Sequence, residues 1–68
     1  MEFGQYFKKC RIEMNLSQKE VAAKLGISQS NVSDWENNIS RPEYENLIKL
    51  CEIYEVTLYQ ILGLNDPI

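Results

Sequence analysis

Apolar residues recur at helical spacing in five segments of the chain. Phe3, Phe7, Cys10 and Met14 are separated by four, three and four positions, which places them on one face of a helix from about Glu2 to Met14. Asn15, tolerant of left-handed dihedrals, is suited to end it. Ser17 and Glu20 then form a capping box, each side chain able to satisfy a free backbone N–H. They open a second helix with Val21, Ala22 and Leu25 as its inner stripe and Gly26 as its left-handed stop. Ser28 is a good N-cap for a third helix running to about Asn37. In that helix Val32 and Trp35 point inward, while Gln29, Ser30, Ser33 and Asp34 share the opposite, polar face. Asn38-Ile39-Ser40-Arg41-Pro42 reads as a loop, with Pro42 just before or at the first turn of the next helix. The fourth helix spans about Glu43 to Tyr54, with Tyr44, Leu47, Ile48, Cys51 and Tyr54 apolar at helical spacing. Thr57 and Gln60 form a second capping box, which starts a short fifth helix from Leu58 to Leu62 that Gly63 stops. The tail from Leu64 to Ile68 carries no regular pattern. The expectation is an all-α fold, a compact five-helix bundle with residues 1–68 as one domain.

Residues 17–37 combine features that are common singly and informative together. Two helices crossing at a sharp angle need a small side chain at the contact, and Ala22 supplies it. The turn needs a residue that accepts positive φ, and Gly26 stands four positions later. Val21, Leu25, Ile27, Val32 and Trp35 can fill the space between the helices and against the rest of the domain. This is the pattern of a helix-turn-helix, whose second helix enters the major groove of DNA. It predicts a sequence-specific DNA binder that regulates transcription.

Composition narrows the alternatives. A chain of 68 residues with 44% hydrophobic content makes one small domain, burying only about 60% of its unfolded surface. No apolar run approaches the ~20 residues that span a bilayer. The N-terminus lacks the basic and apolar regions of a signal peptide, so a cytoplasmic location is expected. There is no histidine, and two cysteines are too few for a Cys/His zinc site. Histidine-based acid-base chemistry is absent too, and neither a glycine-rich phosphate loop nor a convincing carboxylate pair is present. No enzyme, cofactor, metal, membrane or small-molecule ligand is expected. Cys10 and Cys51 read as two reduced core thiols, although the sequence leaves a disulfide open.

The net charge of −3 speaks against a DNA binder, because phosphate contact normally shows as a basic patch. Its distribution softens the objection. Residues 1–33 hold five cations (Lys8, Lys9, Arg11, Lys19, Lys24) against three acids (Glu2, Glu13, Glu20). Residues 34–68 hold two cations (Arg41, Lys49) against seven acids (Asp34, Glu36, Glu43, Glu45, Glu52, Glu55, Asp66). A polarised molecule can turn its basic side to DNA and its acidic side to water.

The run Leu16-Ser17-Gln18-Lys19-Glu20-Val21-Ala22-Ala23-Lys24-Leu25-Gly26-Ile27-Ser28, then Val32-Ser33-Asp34-Trp35-Glu36, then Arg41-Pro42, resembles the lambda-repressor-like (Cro/CI, XRE) helix-turn-helix family. The resemblance extends from about Gly4 to Leu64. It implies a five-helix bundle that binds operator DNA as a dimer and regulates transcription. With the chain ending after the fifth helix, no effector domain is expected. The resemblance assigns Gln18 to phosphate binding and to bracing the recognition helix. It gives Gln29 and Ser30 to the base edges, with Ser33 and Asp34 one turn further along the same face. Asn31 and the loop from Asn37 through Asn38 and Ser40 to Arg41 match backbone-contacting positions. Arg11 and Glu36 match a buried ion pair between the first and third helices. Two departures stand out: Asn38 replaces a frequent glycine after the W-E-x tripeptide, and the DNA face is less basic than usual. Its cations are Arg41 and Lys19, with Lys8, Lys9 and Lys24 as further candidates, and helix N-termini at Ser17 and Ser28 add uncharged phosphate donors.

Side-chain chemistry agrees with these assignments. Gln29 can bond adenine N6 and N7 together, Ser30 and Ser33 are permissive hydroxyls, and Asp34 can accept from cytosine N4. Asp34 can equally act as a penalty against wrong sequences, because a carboxylate near phosphates repels. Trp35 reads as core rather than as a base-stacking platform. A dimer surface is expected on Leu58, Tyr59, Leu62, Leu64 and Ile68, with Leu58 and Leu62 also open to a core role. A homodimer would read two half-sites of a palindromic operator, about 34–36 Å apart. The competing reading is a protein-interaction module of helix-turn-helix descent, an antirepressor or antitoxin-like partner that uses the acidic surface.

Overall fold

The structure is a computed structural model that describes residues 3–64. The chain builds five helices: α1 (Gly4–Glu13), α2 (Gln18–Leu25), α3 (Gln29–Glu36), α4 (Tyr44–Tyr54) and α5 (Leu58–Ile61). No strand occurs among the described residues. Helix ends fall where local chemistry dictates. At α2, Ser17 Oγ accepts from Glu20 N and Glu20 Oε1 accepts from Ser17 N, both at 3.0 Å. Thr57 and Gln60 close the same box at α5. Glu20 gains from its box: the hydrogen bond from the Ser17 backbone holds its carboxyl below the ordinary value. Left-handed backbone occurs at Asn15 (φ 58°), Gly26 (φ 71°), Asn38 (φ 61°) and Gly63 (φ 71°), the residues expected to turn the chain. Glu55 (φ 54°) joins them without any such preference and closes α4.

One cap differs from expectation. Ser28 has the extended backbone of an N-cap, but its hydroxyl makes no capping bond. The Oγ atom instead lies 3.0 Å from Ser30 Oγ. The hydroxyl thus meets a side chain two residues on rather than the α3 backbone.

The core gathers residues from every helix: Phe7 and Cys10 from α1, Val21, Ala22 and Leu25 from α2, Val32 and Trp35 from α3, Leu50 and Tyr54 from α4, and Ile61 from α5. Two of these, Leu50 and Ile61, lie outside the stripes drawn from sequence, and both are fully buried. On α4 the true inner face is Leu47, Leu50, Cys51 and Tyr54, an i, i+3, i+4, i+7 set. Tyr44 and Ile48, expected on that face, are 83% and 58% exposed. The helix is rolled from the predicted stripe because Leu50 and Tyr54 join the shared core. Ile61, rather than Leu58 or Leu62, is the deep anchor of α5; Leu58 is exposed and Leu62 half-buried. Both cysteines are free thiols, Cys10 buried and Cys51 half-buried, and burial pushes both up from their ordinary values.

The start of α1 is pressed against the end of α3. Gly4 is buried, and a Cβ there would meet the carbonyl oxygens of Glu36 and Trp35, the latter at 2.7 Å. The first free N–H of α1, from Gly4, is accepted by Asn38 Oδ1 at 2.9 Å. Gly4→Ala is therefore expected to cost about 1–3 kcal/mol, as overpacking against a backbone that cannot swing aside. A urea titration would read it as a lower midpoint; an unchanged midpoint would mean that the two helices part freely.

Candidate nucleic-acid interface

Burial of one side of α3 fixes what the other side presents. Val32 is fully buried, and Trp35 and Glu36 lie below a tenth exposed. The first turn therefore carries Gln29, Ser30 and Asn31 outward, all exposed, while Ser33 and Asp34 follow one turn later and are half-buried. Asn37 folds back on this helix, its Nδ2 donating to Ser33 O at 2.9 Å and to Ser33 Oγ at 3.2 Å. The backbone carbonyl of Asp34 accepts from Ile39 N at 2.9 Å and Ser40 N at 3.4 Å, which shapes the loop after α3. Asn37, Asn38, Ser40 and Arg41 are exposed, as is Lys19 on α2.

Behind this face lies a charged network. Arg11 Nε donates to Glu36 Oε2 at 2.7 Å, and Arg11 Nη2 to Glu36 Oε1 at 3.0 Å. The two side chains are 12% and 2% exposed. The hydrogen bonds to Glu36 raise the Arg11 guanidinium above its ordinary value. Arg11 Nη1 donates to Leu16 O at 2.9 Å, tying in the turn before α2. Gln18 Nε2 donates to Glu36 Oε1 at 3.0 Å, and Gln29 Nε2 reaches Gln18 Oε1 at 3.5 Å. The structure thus links Arg11, Glu36, Gln18 and Gln29 across three helices. Tyr54 lies near the pair, and burial raises its phenol well above the ordinary value. No buried side-chain nitrogen or oxygen among the described residues lacks a hydrogen-bond partner.

A polar cleft of about 270 Å³ opens between α3 and α4, lined by Asn31, Trp35, Ser40, Arg41, Glu43 and Asn46. Glu43 and Asn46 were not expected there. Their only sequence signal is their position at the start of α4, just after Arg41-Pro42. Glu43 partly offsets the positive charge of Arg41 at this edge.

The apolar residues considered for a dimer surface divide. Leu58, Tyr59 and Leu64 are 49%, 43% and 41% exposed, whereas Leu62 is half-buried against the core. Ile68 lies outside the described residues. Among the described residues no group of three or more His, Cys, Asp or Glu is placed to hold a metal ion. No helix there is long and apolar enough to cross a membrane.

Comparison with known proteins gives this arrangement a context. A helix-turn-helix family model matches residues 7–61. The chain is 33% identical over 66 residues to the HTH-type transcriptional regulator ImmR of Bacillus subtilis (strain 168), covering 97% of this chain and 52% of ImmR. It is 35% identical over 60 residues to the uncharacterized HTH-type transcriptional regulator YqaE of the same organism, covering 88% of this chain and 52% of YqaE. It is 31% identical over 63 residues to the HTH-type transcriptional activator BcrR of Enterococcus faecalis, covering 93% of this chain and 31% of BcrR. The chain thus spans about half the length of ImmR and YqaE and about a third of BcrR.

Proposed function

The chain belongs to the XRE-type helix-turn-helix family of DNA-binding transcriptional regulators, and on that premise we propose that it is a repressor, binding a palindromic operator as a homodimer with α3 in the major groove. The observation that carries the reading is the outward polar turn of α3. Gln29, Ser30 and Asn31 stand exposed on a helix locked from behind by Val32, Trp35 and Glu36. A rigid helix can hold hydrogen-bonding groups against base edges without losing much side-chain entropy on binding.

In this reading Gln29 pairs with adenine N6 and N7, Ser30 and Ser33 accept several bases, and Asp34 accepts from cytosine N4 or repels wrong sequences. Gln18, Lys19, Asn31, Asn37, Asn38, Ser40 and Arg41 meet the phosphate backbone, where contacts fix register rather than sequence. Leu58, Tyr59, Leu62, Leu64 and Ile68 form the dimer contact. Two copies would present their α3 helices to half-sites about 34–36 Å apart. Repression is the simplest outcome, since a dimer seated on an operator covers DNA that the polymerase needs.

Few cations flank the site, so a single subunit binds modestly and dimerisation supplies much of the operator affinity. Selection from a random DNA pool should enrich a palindrome. Gln29→Ala should weaken binding to it by about 1–3 kcal/mol, roughly 5- to 150-fold. Affinity should fall with salt at a slope of about −0.9 per phosphate neutralised. The exposed acids Glu43, Glu45, Glu52 and Glu55 favour a second reading, a module that binds another regulator. Absence of enrichment even at low salt would transfer the weight to it.

A further inference from the structure

We propose that Glu36 is a positioning residue that makes Gln29 read adenine in preference to guanine. The inference rests on the proposal that Gln29 faces a base edge. A carboxylate only accepts hydrogen bonds. Glu36 Oε1 therefore obliges Gln18 to turn its NH2, rather than its carbonyl, inward, and the contact is 3.0 Å. The amide of Gln18 is planar, so its Oε1 must point the other way, toward Gln29. There it faces Gln29 Nε2 at 3.5 Å. One N–H of Gln29 is thereby committed to Gln18. What remains for DNA is one N–H donor and one carbonyl acceptor.

That remainder matches one purine. Adenine offers N7 as acceptor and N6–H as donor in the major groove, whereas guanine offers two acceptors, N7 and O6. A glutamine with a single available N–H satisfies adenine fully and leaves one guanine acceptor unpaired. Without Glu36 the Gln18 amide can rotate through 180°, and Gln29 is then released to turn both N–H groups to guanine. Arg11 supports this indirectly, because its two bonds hold the Glu36 carboxylate in one orientation.

The test separates positioning from folding. Arg11→Met with Glu36→Met replaces the buried pair by apolar side chains, a change that commonly leaves stability intact. Arg11→Lys keeps Glu36 and its bond to Gln18 while weakening the pair. Each variant and the wild type would be titrated against the selected operator and against its adenine-to-guanine counterpart at the Gln29 contact, with melting curves recorded alongside. The wild type should prefer adenine, and the double variant should lose about tenfold of that preference while staying folded. Arg11→Lys should melt lower and keep the preference. A folded double variant with undiminished preference would overturn the role of Glu36. So would loss of preference in Arg11→Lys in step with its stability.

A wild type with no preference that depends on Gln29 would instead sink the base-reading proposal. That result would remove this inference with it; if only the double variant fails to fold, hydrogen exchange of the Gln18 side-chain amide in the free wild-type protein decides. One Gln18 amide proton protected from exchange with water supports the bond to Glu36, and two protons exchanging as fast as those of an exposed glutamine overturn it.

Discussion

Arg11→Ala is expected to cost about 3–5 kcal/mol of folding stability, the effect of breaking a buried pair by removing one partner. The Glu36 side chain is 2% exposed and would lose its cation together with two of its hydrogen bonds. The carbonyl of Leu16 would lose the Nη1 donor at the same time, which loosens the turn before α2. Against a total stability of about 5–15 kcal/mol, such a loss is large. A thermal melt should therefore show the defect before any DNA titration does. An unchanged melting curve would mean that water reaches Glu36 freely. Pairing the change with removal of Glu36, as in the double methionine variant, should recover most of the loss, because no buried charge is then stranded. Recovery would distinguish the penalty of an orphaned carboxylate from the net contribution of the ion pair.

The second large effect is at Leu50. Its side chain is 1% exposed at the centre of the core, and Leu50→Ala should cost about 2–5 kcal/mol through lost burial and the cavity left behind. Ile48→Ala, two residues away and 58% exposed, should stay within about 0.5 kcal/mol of the wild type. Chemical denaturation of the two variants side by side checks the roll of α4 directly. Equal losses would place Ile48 inside and contradict the observed face. Both residues are apolar and both lie in a helical pattern, so the comparison isolates orientation from composition.

That pair of neighbours also marks how far the sequence could be read. Helix order and helix ends were legible, because a capping box or a left-handed residue acts over three or four positions and needs no distant partner. Ser17 with Glu20, Thr57 with Gln60, and Asn15, Gly26, Asn38 and Gly63 all sit where local chemistry put them. Ser28 is the exception, its hydroxyl lying against Ser30 rather than capping the backbone. The polar face of α3 was legible in part for the same reason: Val32 and Trp35 declare the inner face and Gln29 and Ser30 stand exposed outside it, while Ser33 and Asp34, read on the same face, are half-buried. The contact between Arg11 and Glu36 was implied by family resemblance and not by spacing, as the two residues lie 25 positions apart.

Five helices, their boundaries and the helix-turn-helix grammar of residues 17–37 follow from local propensity and short-range hydrogen bonding along the chain. That Leu50 rather than Ile48 faces inward, and that Ile61 anchors α5, came from the way the helices pack together. Helical periodicity fixes a stripe only to within part of a turn; the packing of neighbouring helices sets the final roll. The tertiary structure likewise brought Gly4 against the carbonyl oxygens at the end of α3 and joined Glu36 to Gln18 and Gln29. Those contacts depend on how helices cross, and no local rule along the chain encodes a distance between side chains that meet only after the bundle has closed.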